Sequence, residues 1–96
     1  MSVRVTLNCE LKSNAYANLL PFLEENLPNV RGFKGNRQVN VFFDNDKCEM
    51  LLEEKWQSVE SHQDYLGFIE KSGVLTQLNS FLSSPPVIKY FVNADI

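Results

Sequence analysis

The chain has 96 residues, of which 44% are hydrophobic and 22% charged, and its formal net charge is −3. That length suits a single domain spanning residues 1–96, and the composition belongs to a globular fold rather than a disordered one. The nine Lys and Arg are scattered, so the clustered basic footprint that neutralises nucleic-acid phosphates is missing. No apolar run is long enough for a membrane span. The opening MSVRVTLNCEL lacks the continuous apolar stretch of a secretion signal, and the expected location is cytoplasmic.

From Val3 to Leu11 apolar residues fall on alternate positions, with Arg4, Thr6, Asn8 and Glu10 between them. This is the period of a strand with one buried face. Ser13 is placed to cap a helix whose stripe is Tyr16, Leu19 or Leu20, Leu23 and Leu27. Pro21 interrupts that helix and Pro28 is expected to help end it. The segment NVRGFKGNRQ reads as a connecting loop, after which Val39, Val41 and Phe43 alternate again. FDNDK, from Phe43 to Lys47, has the Asp and Asn chemistry of a tight hairpin. On the returning strand Cys48, Met50, Leu52, Glu54 and Trp56 form one side, and Glu49, Leu51, Glu53 and Lys55 the other.

Ser58 sits where a second helix needs its cap, with Glu60 in the first turn. His62, Tyr65, Leu66 and Ile69 share one face of that helix, and Gly73 ends it. A short helix carrying Val74, Leu75, Leu78, Phe81 and Leu82 follows, stopped by Pro85 and Pro86, and PVIKYFVNAD reads as a last strand. The order β-α-β-β-α-α-β implies a ferredoxin-like α+β fold, an antiparallel sheet with helices on one face. Its other face would hold Leu51, Phe42 and either Tyr90 or Phe91 among Thr6, Asn8 and Asn40. Such a mixture is too apolar to stay wet, which implies a homodimer.

Several chemistries are excluded. A single histidine cannot assemble the usual multi-histidine metal site. GFKG, from Gly32 to Gly35, is neither a dinucleotide fingerprint nor a phosphate loop, and there is no GxSxG elbow. Cys9 and Cys48 are expected on strands as buried, reduced thiols. Glu53 and Glu54 point to opposite faces of a strand, so they make no paired-carboxylate site and read as solvated or salt-bridged charges.

The element order, together with LLEEKWQSVESHQDYLGFIEKSGVL from Leu51 to Leu75, resembles the antibiotic biosynthesis monooxygenase family. The resemblance implies a dimeric α+β barrel. It also implies a cofactor-independent monooxygenase or quinol oxidase that treats a small phenolic or quinol-like aromatic with dioxygen. Trp56 matches the family's strand-ending Trp, which borders the pocket. An Asn four residues before it in the polyketide-type branch is Leu52 here, and a Tyr six residues after it is His62. Asn8 matches a first-strand Asn of the haem-degrading branch, but the iron-ligating His of that branch is missing, which argues against haem degradation.

On this reading Trp56 is a flat wall with an N–H directed into the pocket, and His62 is the general base. An ordinary imidazole pKa near 6.5 suits it to remove a phenolic proton. Asn8 would orient an oxygen, and Tyr65, Tyr90, Asn40 and Phe42 would contact substrate. The alternative is a non-catalytic, aromatic-ligand-binding or stress-related protein of the same fold, favoured by Leu52 in place of the activating Asn.

Overall fold

A computed structural model describes residues 2–96. The elements run β1 (Val3–Glu10), α1 (Tyr16–Arg31), β2 (Asn36–Phe43), β3 (Glu49–Trp56), α2 (Val59–Ser72), α3 (Val74–Asn79) and β4 (Val87–Phe91), in the expected order. The sheet is four-stranded with order β2-β3-β1-β4. All three pairings are antiparallel, which makes this the ferredoxin-like α+β arrangement.

Register assigns each side chain to a face. Val5 lies opposite Glu54 and Leu7 opposite Leu52, while Tyr90 and Ile88 lie opposite Val5 and Leu7 from the other side. These residues, with Val39 and Val41 of β2, point toward the helices. Val5, Cys9, Met50 and Trp56 are completely buried there. A one-residue slip would turn the whole set outward, so burial of this face fixes the register. Arg4, Thr6, Asn8, Asn40, Phe42, Leu51, Glu53 and Phe91 occupy the opposite, open face. There the Arg4 guanidinium meets the Glu53 carboxylate at 2.9 Å.

The helices depart from expectation at three points, one being that α3 stops at Asn79, so Phe81 and Leu82 lie beyond it. Ser13 does not cap α1; Ala15 stands at the N-cap without a side-chain bond. Nor does Pro28 end it, for Pro21 and Pro28 both lie inside the helix, which stops only before Gly32. Each proline withholds one N–H from the helix ladder, yet both face solvent, where water can satisfy the freed carbonyls. The opposite stripe of Leu19, Phe22, Leu23 and Val30 is buried, and that packing carries the helix through both breaks. α2 follows its local signals closely: the Ser58 hydroxyl accepts from the Ser61 N–H at 3.1 Å. Gly73 closes it in the left-handed conformation, φ 86°.

Cys9 is buried as expected, but Cys48 lies exposed in the hairpin turn. The turn needs five residues between its strands, so Cys48 falls before the first ladder pair. Its geometry comes from Asp44, whose Oδ1 accepts the N–H groups of Cys48 and Glu49 at 2.8 and 2.9 Å.

Gly35 joins the loop before β2 to the start of α2. It has φ +92°, its carbonyl accepts the Gln57 N–H at 2.7 Å, and an added Cβ would sit 2.6 Å from the Ser61 hydroxyl oxygen. Gly35→Ala therefore meets both a strained backbone and a steric overlap. We expect a loss of about 2 kcal/mol or more, read from the denaturant midpoint, with native circular dichroism retained.

Candidate functional site

The local sequence brings two aromatic rings and a carboxylate together at the end of β3. Glu54 and Trp56 are two apart on a strand, so both face the helices. The chain then turns at Gln57, and α2 starts at Val59, setting His62 one turn in, over Trp56. Their ring centroids are 5.3 Å apart at 68°. Tyr65, one turn further, lies 5.4 Å from the Trp56 ring and 5.2 Å from Phe33.

The connecting group is Glu54, which is only 4% exposed although it is a carboxylate. Its Oε1 accepts the Trp56 indole N–H at 2.7 Å, and His62 Nε2 stands 3.9 Å from the same oxygen. No Lys or Arg lies in ion-pair range of it among the described residues. On the far side of the imidazole, Nδ1 is 2.8 Å from the Tyr90 hydroxyl. The chain is thus Trp56–Glu54–His62–Tyr90, reaching from the core to the β4 edge.

Burial shapes the titration of each member. Desolvation raises the Glu54 carboxyl, and the Trp56 hydrogen bond offsets part of that rise. Desolvation lowers His62 from 6.5 to about 4, so its ring is neutral at neutral pH. It is also a weaker proton acceptor than its ordinary value implies. Burial, and then the charge of Glu54, raise both Tyr65 and Tyr90, which keep their phenolic protons. Burial, with Glu54 and Glu49, pushes the Cys9 thiol up to about 11, leaving it inert.

An apolar cleft opens between the sheet and the helices, with a cavity volume of about 60 Å³. Leu7, Leu52, Ile69, Leu78 and Ile88 form much of its wall, Glu54, His62 and Tyr65 supply one polar end, and Asn26, whose Nδ2 donates to the Phe22 carbonyl, is a further polar group on its lining. The half-buried Leu27, Leu66, Val74 and Leu75 line the side nearer solvent.

Measured against the sequence reading, His62 and Tyr65 are where they were expected. Trp56 is not a wall of the cleft: its ring is fully buried behind Glu54 and its N–H serves that carboxylate. Tyr90 reaches the site only through His62. Asn8, Asn40 and Phe42 are on the open face of the sheet, across the backbone from His62, and the chain brings none of them to the cleft. Asn40 Nδ2 instead contacts Glu53 Oε1 at 3.4 Å. Glu54, read as a solvated charge, is the residue that was missed. The signal for it was present, since it alternates with Met50, Leu52 and Trp56 on the buried side of β3.

No protein-family profile and no curated protein matches the chain. Solved structures do. Rv0793 from Mycobacterium tuberculosis is 19% identical, with a TM-score of 0.83 over 100% of this chain and 98% of that one. A protein described as antibiotic biosynthesis monooxygenase is 13% identical, with a TM-score of 0.84 over 96% and 98%. The ActVA-Orf6 monooxygenase of Streptomyces coelicolor, solved with nanaomycin D, is 14% identical, with a TM-score of 0.78 over 99% and 90%. The chain is a ferredoxin-like α+β protein. Its particular variant of that fold is the one found in antibiotic biosynthesis monooxygenases.

The His62 shift makes stability depend on pH. Between pH 6.5 and 4 the unfolded chain takes up a proton that the buried ring resists, so stability present above 6.5 is lost as pH falls toward 4. Glu54 acts with the opposite sign, because its raised pKa makes the folded state bind a proton more readily. For His62 alone the loss is roughly 2 kcal/mol by pH 5. Denaturant midpoints at pH 7.5 and 5.0 should fall further apart in the wild type than in His62→Leu. Equal differences would remove His62 as the cause.

Proposed function

We propose that this protein is a cofactor-independent monooxygenase or quinol oxidase that acts on a small phenolic or quinol-like aromatic with dioxygen. The observation that carries the reading is the polar end of a largely apolar cleft, formed by Glu54 and a neutral His62. An aromatic ring that widened this cleft of about 60 Å³ would pack against its aliphatic walls and set its hydroxyl at the end where Glu54 and His62 meet. Removal of the hydroxyl proton leaves an electron-rich anion able to pass an electron to dioxygen. The likeness to monooxygenases, one of them solved with nanaomycin D, supports this choice of chemistry.

Oxygen uptake tests it: purified protein is given a panel of hydroquinones, naphthoquinols and anthrones, with autoxidation subtracted and no cofactor added. Protein-dependent uptake that falls at least 100-fold in His62→Leu is the expected outcome. The second reading is a protein of the same fold that holds an aromatic ligand without turnover. It is favoured by Leu52, an apolar cleft residue at the position where the polyketide-type monooxygenases place an activating Asn. Binding without uptake for every compound would select it.

The reading includes a homodimer in the cytoplasm. Phe42 is 50% and Phe91 49% exposed on the open sheet face, with Leu51 beside Phe42, Arg4 beside Phe91 and the Arg4–Glu53 pair on the surface that separates them. A second copy covering this face would remove that apolar area from water. Sedimentation should give a dimer mass for the wild type and a monomer mass for Phe42→Asp/Phe91→Asp. A wild-type monomer at micromolar concentration would overturn the assembly.

A further inference from the structure

Resting on the function proposed above, the geometry points to Glu54 as the group that receives the ligand's hydroxyl proton, with His62 holding the resulting oxyanion and Tyr90 supporting the His62 ring from Nδ1. Four observations assemble this arrangement.

The first is that the Trp56 N–H occupies Glu54 Oε1, whereas Oε2 has no hydrogen-bond partner among the described residues, and the side chain lines the cleft. Oε2 is not among the fully buried orphans, of which Asn36 Nδ2 is the one among the described residues, so it keeps an accessible lone pair to which a ligand O–H can donate. The second is the 3.9 Å gap between Oε1 and His62 Nε2. That distance is too long for a direct hydrogen bond, which leaves both side chains free to engage a hydroxyl seated beside them, the carboxylate accepting its proton and Nε2 donating to its oxygen.

Third, the tautomer follows from the surroundings. Nε2 faces a carboxylate, where a lone pair would be repelled and an N–H attracted. The proton of the neutral ring therefore sits on Nε2, and Nδ1 presents its lone pair to Tyr90. The Tyr90 hydroxyl, 2.8 Å away, then donates to Nδ1. Fourth, the two groups complement a hydroxyl: a carboxylate accepts its proton, and an N–H donates to its oxygen. An ether at the same place offers no proton, and a carboxylate ligand would set two anions together.

The step balances without an oxidant. The ligand O–H bond breaks and an O–H bond forms on Glu54. The negative charge moves from the carboxylate to the ligand oxygen, where the Nε2–H donates to it. Glu54 and His62 contact the ligand; Tyr90 acts only through His62 and is a positioning residue.

Three measurements test this. His62 is the sole histidine, so the ring nitrogen spectrum of ¹⁵N-labelled protein has one unambiguous pair of signals. The wild type should show a protonated Nε2 and a bare Nδ1, with that preference weakened in Glu54→Leu and less so in Tyr90→Phe. A proton on Nδ1 in the wild type would overturn the arrangement. Fluorescence titration with 2-naphthol and 2-methoxynaphthalene should show at least ten-fold tighter binding of the naphthol. In Glu54→Leu, which keeps the shape, that preference should shrink to within two-fold; equal binding of the two probes to the wild type would overturn it. Oxygen uptake should fall at least 100-fold in Glu54→Gln while 2-naphthol affinity changes only a few-fold. Undiminished uptake in that variant would remove Glu54 as the acceptor. Should the wild type consume no oxygen with any quinol, the monooxygenase reading falls. The naphthol preference and the tautomer then decide the hydroxyl site by themselves.

Discussion

A carboxylate held on the buried side of a strand is the constraint around which the rest of this molecule is arranged. Glu54 occupies the register position between Leu52 and Trp56, facing the helices. Removing an ionisable carboxyl from water costs several kcal/mol unless something compensates, and among the described residues the compensation is one indole N–H. Burial raises Tyr65, Tyr90 and Cys9, and the Glu54 charge adds to each rise, while His62 Nε2 stands 3.9 Å from its Oε1.

Much of the fold could be read from the sequence because the strongest signals were local. The alternation in β1 and β3, the Ser58 cap and the terminal Gly73 specified their elements almost without help. The failures came where tertiary packing outweighed local preference. α1 runs through Pro28 because its buried stripe continues to Val30, something no helix-ending rule foresees. Cys48 left the strand because the Asp44 side chain organised the turn around itself.

The site was legible in part, and its gaps have a common cause. Asn8 and His62 were joined by family analogy, although the alternation of β1 already set Asn8 on the face opposite Val5 and Leu7. The same parity placed Glu54 in the core, but an acidic residue prompts the expectation of solvent, and residue type was allowed to outweigh register. Tyr90 posed a different problem. Whether it or Phe91 faces the helices depends on how β4 pairs with β1, which no spacing within the last strand reveals.

The contact at Gly35 has a mechanical consequence. α2 is tied down at its N-terminus by the Ser58 cap, by the Gln57 N–H on the Gly35 carbonyl, and by Ser61 pressed against the same glycine. Its other end runs out at an exposed glycine and passes directly into α3. Between those ends the buried Tyr65 and Ile69 hold the helix on the core. The anchoring is therefore strongest beside His62, and the half-buried Leu66, Val74 and Leu75 that border the cleft lie toward the end with no such tie.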